Sequence, residues 1–399
     1  MKLRRLIDDF RVQEQNSLPI GSRGIHAVYE LKKSGWTTLD ALGHFSRTLN
    51  IPRRNMVHAG LKDRHAVTSQ IITVRHGPRR SFVEENLELA YLGQAERETG
   101  SSDITGNNFE IVLRSLSDEE HRQAAGSILE LQQGGLPNYF DDQRFGSWYA
   151  GQGFVGAAWV REDYEQALWL AFAEHHPDDP AAERKQKAIL RDHWKDWITC
   201  KRLLERSHRR SIITFLCDKP EDFKGAWGIV NSDLRGLYLS ALQSELWNRL
   251  AAAWFVKVCA PEQIEWVTFR TGPIESPRRL TAEQVRSLQS IQIPLPSARL
   301  KLDNEPLAEF MQSVLHQTGW SFSDLKVKFP RDRFFSRARR PILICPGDLS
   351  GEFAVDELDA AKTKLCLRFS LPRGAYATMV IKRLWSGLDE NELSASPEE

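Results

Sequence analysis

The chain has 399 residues, beyond the usual size of one domain, so two domains are expected, and its 41% hydrophobic content with 12 Trp and 19 Phe is ample for their cores. Its formal charge of +1 excludes a histone-like polybasic protein but leaves room for a local basic face. The five cysteines (Cys200, Cys217, Cys259, Cys345 and Cys366) include no C-x-x-C pair, which excludes a zinc ribbon and a disulfide framework. No apolar run follows the basic start, and none reaches the roughly 18 residues of a membrane span, so a soluble cytoplasmic protein is expected.

In chain order, Asp9 to Glu14 alternates polar and apolar residues as a half-buried strand does, and Ile25 to Leu31 reads as a second strand. Thr38 is expected to cap a helix through Leu39 to Leu49. At His58-Ala59-Gly60-Leu61-Lys62-Asp63-Arg64-His65 a glycine loop sets a carboxylate between two cations, then runs into the β-branched stretch Ser69 to Arg75, a strand. Gly60 is expected to supply a sharp turn, and Lys62 and Arg64 to hold Asp63 ionised. Such a carboxylate can serve as nucleophile, base or metal ligand; the same residues also fit a solvated surface loop.

Gly106-Asn107 reads as a turn feeding an alternating strand to Arg114, and the helical pattern from Asp118 to Gln133 stops at Gly134-Gly135. Pro137 to Gly146 gathers Asn138, Tyr139, Phe140, Gln143, Arg144 and Phe145. Aromatic faces stack on unpaired bases, amides read base edges and arginine forks to phosphate, although a core-forming turn would use the same aromatics. Gly151 to Gly156 fits G-x-G-x-x-G but lacks the preceding strand of a dinucleotide site, so Gly156 is assigned to close packing or a helix start. Residues 157–253 are patterned as helices, with Trp194, Trp197 and Trp227 as core and Ser240, Ser244 and Asn248 as one polar stripe. Asp324 to Arg340 carries seven cations against two anions among Phe329, Phe334 and Phe335. An RNA-contacting surface through Arg331, Arg333, Arg337, Arg339 and Arg340 is expected there. Leu365 to Leu371 is a strand that turns at Pro372 into a helix.

Four of these segments resemble, in order, the motifs of the TruD family of pseudouridine synthases. They are Ala59 to Thr68 with Gln70, Gly106-Asn107-x-Phe109 closing on Leu113-Arg114, Asn138 to Gly146, and Phe369 to Pro372 with Gly374 to Thr378. The chain departs from the family pattern at Ile25, where many relatives have Glu, at Thr37, where they have Asn, and at Asp141, where they have Gly. The resemblance implies an α/β (α+β) fold. Residues 1–156 and 341–399 would form a catalytic domain on a central mixed or antiparallel sheet, and 157–340 an inserted family-specific α/β domain. It implies isomerisation of uridine to pseudouridine in RNA, at uridine 13 of tRNA, by a monomer that needs neither metal nor other cofactor and acts on a flipped-out nucleotide. In that reading Asp63 is catalytic, as nucleophile on the ribose or base at its 2′ carbon, and Lys62 or another cation pairs with it. Tyr376 stacks on the uracil, Asn138 and Phe140 order the loop and the flipped nucleotide, and Arg144 binds substrate. Two other classes compete: a non-catalytic RNA-binding protein, which would tolerate loss of Asp63, and a metal-dependent nuclease using Asp63, Asp141 and Asp142.

Overall fold

The computed structural model describes residues 2–3, 5–302, 305–327 and 335–386. They form two compact units, Met1–Leu136 with Ile344–Glu399, and Pro137–Leu343. The second unit thus begins at Pro137 rather than at the expected residue 157.

The first unit is built on a ten-stranded sheet. Its main path runs Gly347–Asp356, Asp359–Pro372, Ile104–Leu116, Phe10–Asn16, Val67–Arg75, His26–Ser34, Leu87–Ala95 and Phe82–Glu84, with two short strands off the path. The Phe10–Asn16 and Val67–Arg75 strands pair in parallel, Arg11 opposite Val67, while their other neighbours are antiparallel. The mixed sheet matches expectation. Helix Thr38–Thr48 covers one half, burying Ala41, Leu42 and Phe45 against Tyr29, Leu31, Ile72 and Leu89. Its N-cap is Thr37, one residue before the expected cap, whose side chain accepts the Asp40 amide at 3.1 Å. Thr37 is therefore a competent cap. Gly106-Asn107 is not a turn: both residues lie inside the Ile104–Leu116 strand. A Cβ on Gly106 would meet the Leu371 carbonyl oxygen at 2.5 Å, so close strand approach, and not a bend, requires glycine there.

The segment around Asp9 and the turn at Asp356 are tied to this sheet by a buried charge cluster. Arg114 donates through Nε to both carboxylate oxygens of Asp9 (2.9 and 3.0 Å) and through a terminal nitrogen to Asp356 (2.9 Å). Two residues from separate sequence motifs, Asp9 and Arg114, thus explain each other.

Helices dominate the second unit, around the long helix Ser232–Val258, which buries Trp247, Asn248, Leu250 and Phe255. Trp197 and Trp227 are core residues as expected, and Trp194 is half-buried. A hairpin, Ile264–Phe269 with Gly272–Pro277, and the pair Gln292–Pro294 with Arg339–Pro341 supply its strands. The Gly151–Gly156 run covers the turn and second strand of a two-residue-strand hairpin, Trp148–Tyr149 with Gly153–Phe154, and the start of helix Val155–Val160; Gly151 and Gly153 take φ of +73° and +81°. A Cβ on Gly156 would lie 2.4 Å from the Tyr238 carbonyl oxygen, which is the close packing expected. Nothing in this geometry holds a dinucleotide.

Candidate active site

Side chains alternate between sheet faces along a strand. Register therefore puts Val12, Glu14, Thr68, Gln70, Leu31 and Lys33 on one face. Asp63 sits in the loop that enters the Val67–Arg75 strand, and this face holds the loop by its backbone. Lys33, 2% exposed, donates its ammonium to the carbonyls of Asp63 (2.6 Å), Trp36 (2.8 Å) and Lys62 (3.4 Å). The Thr38 hydroxyl accepts the Lys62 amide (3.0 Å) and donates to Gln70 Oε1 (2.8 Å), while Gln70 Nε2 donates to the Gly60 carbonyl (2.8 Å). Carbonyls 60, 62 and 63 and amide 62 are thereby fixed.

Asp63 itself is exposed, and one oxygen accepts the His65 amide at 3.0 Å. A rigid backbone under an accessible carboxylate is a preorganised reactive group. Burial pulls the Lys33 ammonium down to about 8; attraction to Asp63 opposes this and repulsion from Lys62 adds to it. The charge facing Asp63 from the interior is thus Lys33, a residue that motif reading passed over. Its signal was present in sequence: a lysine in phase with the buried positions of a strand.

Lys62 lies elsewhere than expected. Its ammonium forms an ion pair with buried Glu14 (3.0 Å) and donates to Asn107 Oδ1 (2.9 Å), which anchors the loop to two further strands. Arg64 donates to the Gly35 carbonyl at 3.1 Å. Gly60 has no positive φ; its Cβ would meet Ile104 Cδ1 at 3.2 Å, so tight packing accounts for it.

Tyr376 is a half-buried, extended residue (φ −113°, ψ 122°) that precedes helix Ala377–Leu384. The strand leading to it pairs Leu371 with Asn107 and Pro372 with Gly106. Register therefore delivers the Tyr376 segment to the strand end where Asn107 anchors Lys62.

The remaining candidates belong to the second unit. Asn138 and Phe140 are 5% and 8% exposed. Asn138 donates its amide to Pro341 (3.0 Å) and accepts from Arg340 through both its carbonyl and its side-chain oxygen, each at 2.7 Å. Phe140 exchanges both backbone hydrogen bonds with the Asn248 side chain (2.9 and 2.8 Å) and packs edge-on against Trp247. Arg340, expected to contact RNA, instead places its guanidinium 4.1 Å from the Phe140 ring centre. Arg144 donates to Ser240 Oγ at 3.3 Å. The polar stripe at 240, 244 and 248 thus docks the Asn138–Arg144 loop through its first and last members. Asp141, at φ −99°, is extended backbone that needs no glycine. Arg337 and Arg339 are exposed; Arg331 and Arg333 lie outside the described residues. Among the described residues no three His, Cys, Asp or Glu side chains are grouped as metal ligands, and Asp142 accepts the Arg270 amide at 2.8 Å. Among the described residues no helix is long and apolar enough to cross a membrane.

An open groove of about 480 Å³ on the first unit is lined by Arg11, Gln13, Lys32, Ser69, Asn108 and Arg368 among others. Alternation sends these side chains to the face away from Glu14, Lys33 and Gln70. Its cations already meet Glu110 (3.9 Å from Arg11, 3.1 Å from Arg368) and Glu30 (3.5 Å from Lys32), so it is a salt-bridged sheet face.

A family model described as "tRNA pseudouridine synthase D (TruD)" matches residues 1–384. "Probable tRNA pseudouridine synthase D 1" of Methanococcus maripaludis is 29% identical over 97% of this chain and 100% of its own length. The tRNA pseudouridine synthase D of Aquifex aeolicus is 28% identical over 96% and 98%. The crystal structure of a TruD protein from Methanosarcina mazei superposes with a TM-score of 0.73 at 27% identity, covering 97% of this chain and 93% of that one.

Proposed function

This chain belongs to the TruD family and forms pseudouridine in tRNA, and we propose that it does so at uridine 13 with Asp63 as the catalytic carboxylate. In this isomerisation the N1–C1′ bond breaks, the freed uracil turns, and C5 bonds to C1′ while the C5 proton is lost and N1 gains one. The reacting atoms are inaccessible in a stacked helix, so the nucleotide is flipped out first. Asp63 either forms an ester at C1′ or takes the proton from C2′, and it is regenerated when the new C–C bond forms. The observation that carries this reading is an exposed Asp63 carboxylate on a loop whose backbone is held by buried Lys33. Geometry fixed before substrate arrives lowers the barrier by avoiding reorganisation during the reaction.

Tyr376 stacks on the detached uracil in this scheme and keeps it in place while it turns. Lys33, through the Asp63 carbonyl, is a positioning residue. Asn138, Phe140 and Arg340 act on RNA indirectly, by holding their own loop. Exposed Arg337 and Arg339 meet phosphates. Tritium release from bulk tRNA labelled at uridine C5, followed by mapping of the modified position, tests the whole scheme. Release by the wild type at position 13, absent in Asp63→Asn, is expected; equal release by both would assign the chemistry to another carboxylate.

A further inference from the structure

Charge is distributed unevenly along this nearly neutral chain. Residues 184–210 hold ten cations against three anions, a local +7, so all other residues together sum to −6. This stretch spans most of helix Ala181–Asp192, helix Trp197–Leu203 and the start of helix His208–Asp218, all in the second unit. Two contacts draw the helices together: Arg209 pairs with Glu183, and Gln186 Oε1 accepts the Glu205 amide at 3.1 Å.

Four of the ten cations have acidic partners: Lys187 with Asp179 (2.9 Å), Lys195 with Glu165 (2.9 Å), Arg209 with Glu183 and Arg191 with Asp192 (4.0 Å). The other six, Arg184, Lys185, Lys201, Arg202, Arg206 and Arg210, form no ion pair among the described residues. Arg184, Lys185, Arg202 and Arg206 are exposed. The Gln186–Glu205 contact brings together the segments that carry Lys185 and Arg206, with Arg184 next to Lys185, Arg202 four residues before Arg206, and exposed Glu205 an anion at the junction. Like charges crowded in this way repel one another, and a polyanion that bridges them relieves the repulsion. Arginine also forks onto phosphate oxygens.

We propose that Arg184, Lys185, Arg202 and Arg206 form a second RNA-contact surface, on the unit that does not carry Asp63, which binds the sugar–phosphate backbone of tRNA. The proposal rests on the reading of this chain as a tRNA-modifying enzyme. Such a surface contributes affinity and leaves the chemical step alone.

The test titrates bulk tRNA against the full chain at several salt concentrations. It compares the wild type with R184E/K185E/R202E/R206E and with a control of equal charge change in the first unit, R23E/R54E/R75E/R79E. Each lost phosphate contact flattens the plot of log affinity against log salt by about 0.9. The surface variant is therefore expected to flatten it by about 3 to 4 and to bind at least about tenfold more weakly at physiological salt, with the control far less affected. The corresponding all-glutamine variant is expected to move in the same direction by less, which separates lost contact from misfolding. Tritium release at saturating tRNA is expected to be unchanged in kcat, with the loss confined to KM. Equal weakening by surface and control variants, wild-type affinity in the surface variant, or no tRNA affinity in the wild type would each overturn the proposal. A surface-specific loss of binding with no tritium release by any protein would instead leave this surface standing and remove the proposed reaction.

Discussion

Two loops carry the strongest motifs in this chain, and the structure uses them in opposite ways. The Asp63 loop keeps its reactive group at the surface and buries its support: Lys33, Thr38 and Gln70 hold the backbone from below. The Asn138–Arg144 loop buries its conspicuous groups, with Asn138 and Phe140 satisfied by Arg340, Pro341 and Asn248. The presence of polar motif residues in a loop therefore says little about their exposure. What separates the loops is that the Asp63 carboxylate stays exposed above a backbone held by Lys33, Thr38 and Gln70, whereas Asn138 and Phe140 are packed into the interior.

The contrast predicts that mutations in the first loop strike activity and those in the second strike stability. The largest effect is expected from Asp63→Asn: loss of tritium release on the order of 10³-fold or more, with the melting temperature unchanged because the carboxylate is exposed. A large drop in melting temperature would show that Asp63 is structural after all. Lys33→Met is expected to lower kcat by roughly 100-fold, the effect of a reacting group displaced by about an ångström. Its KM for tRNA should move far less, and steady-state kinetics would reveal the split.

Lys33 also gives a pH signature whose two parts run in opposite directions. Its folded value of about 8 lies below the 10.5 of an unperturbed lysine. Between these values the unfolded chain binds more protons than the folded one, so this group's contribution makes stability rise with pH across the window. Over the same window the folded ammonium loses its proton and one donor to the loop carbonyls, so activity is expected to fall with a midpoint near 8. Activity that stays flat through pH 9 would remove Lys33 from its positioning role.

In the second loop, Asn248→Ala strands the buried backbone N–H and carbonyl of Phe140 and is expected to cost about 2–4 kcal/mol, read by denaturant unfolding. At low temperature, kcat should survive. Arg114→Leu provides a first-unit control away from the Asp63 loop. It leaves Asp9 and Asp356 buried without their cation and is expected to destabilise by about 3–5 kcal/mol. The smallest effect is expected from Thr37→Ala, about 1 kcal/mol for a lost N-cap, measurable as a small shift in the unfolding midpoint.

Much of the first unit was legible because its signals are local. Period-2 alternation marked the strand beginning near Phe10, Ile25 to Leu31 read as the strand that begins at His26, and the β-branched run marked Val67–Arg75. The long-range pairings were not legible. Gly106-Asn107 reads as a turn since those residues favour turns wherever nothing else intervenes, yet strands on both sides draw it into the sheet. Lys62 sits beside Asp63 in sequence, but buried Glu14, reached only by sheet register, takes its ammonium. Arg340 belongs to a basic run, and only folding shows that the Phe140 and Trp247 rings claim its guanidinium.

By itself, then, the sequence determined several of the strands and helices, which carboxylate carries the motif, and which family the chain resembles, since these depend on spacing and residue type within a short window. Tertiary structure decided which cation faces Asp63, which motif residues are interior, and that six cations of residues 184–210 stay without acidic partners among the described residues. Those outcomes depend on residues that are distant in sequence (Lys33 and Asp63 are 30 residues apart, Phe140 and Asn248 108) or that meet across a helix bundle, where burial and competition for partners override local preference.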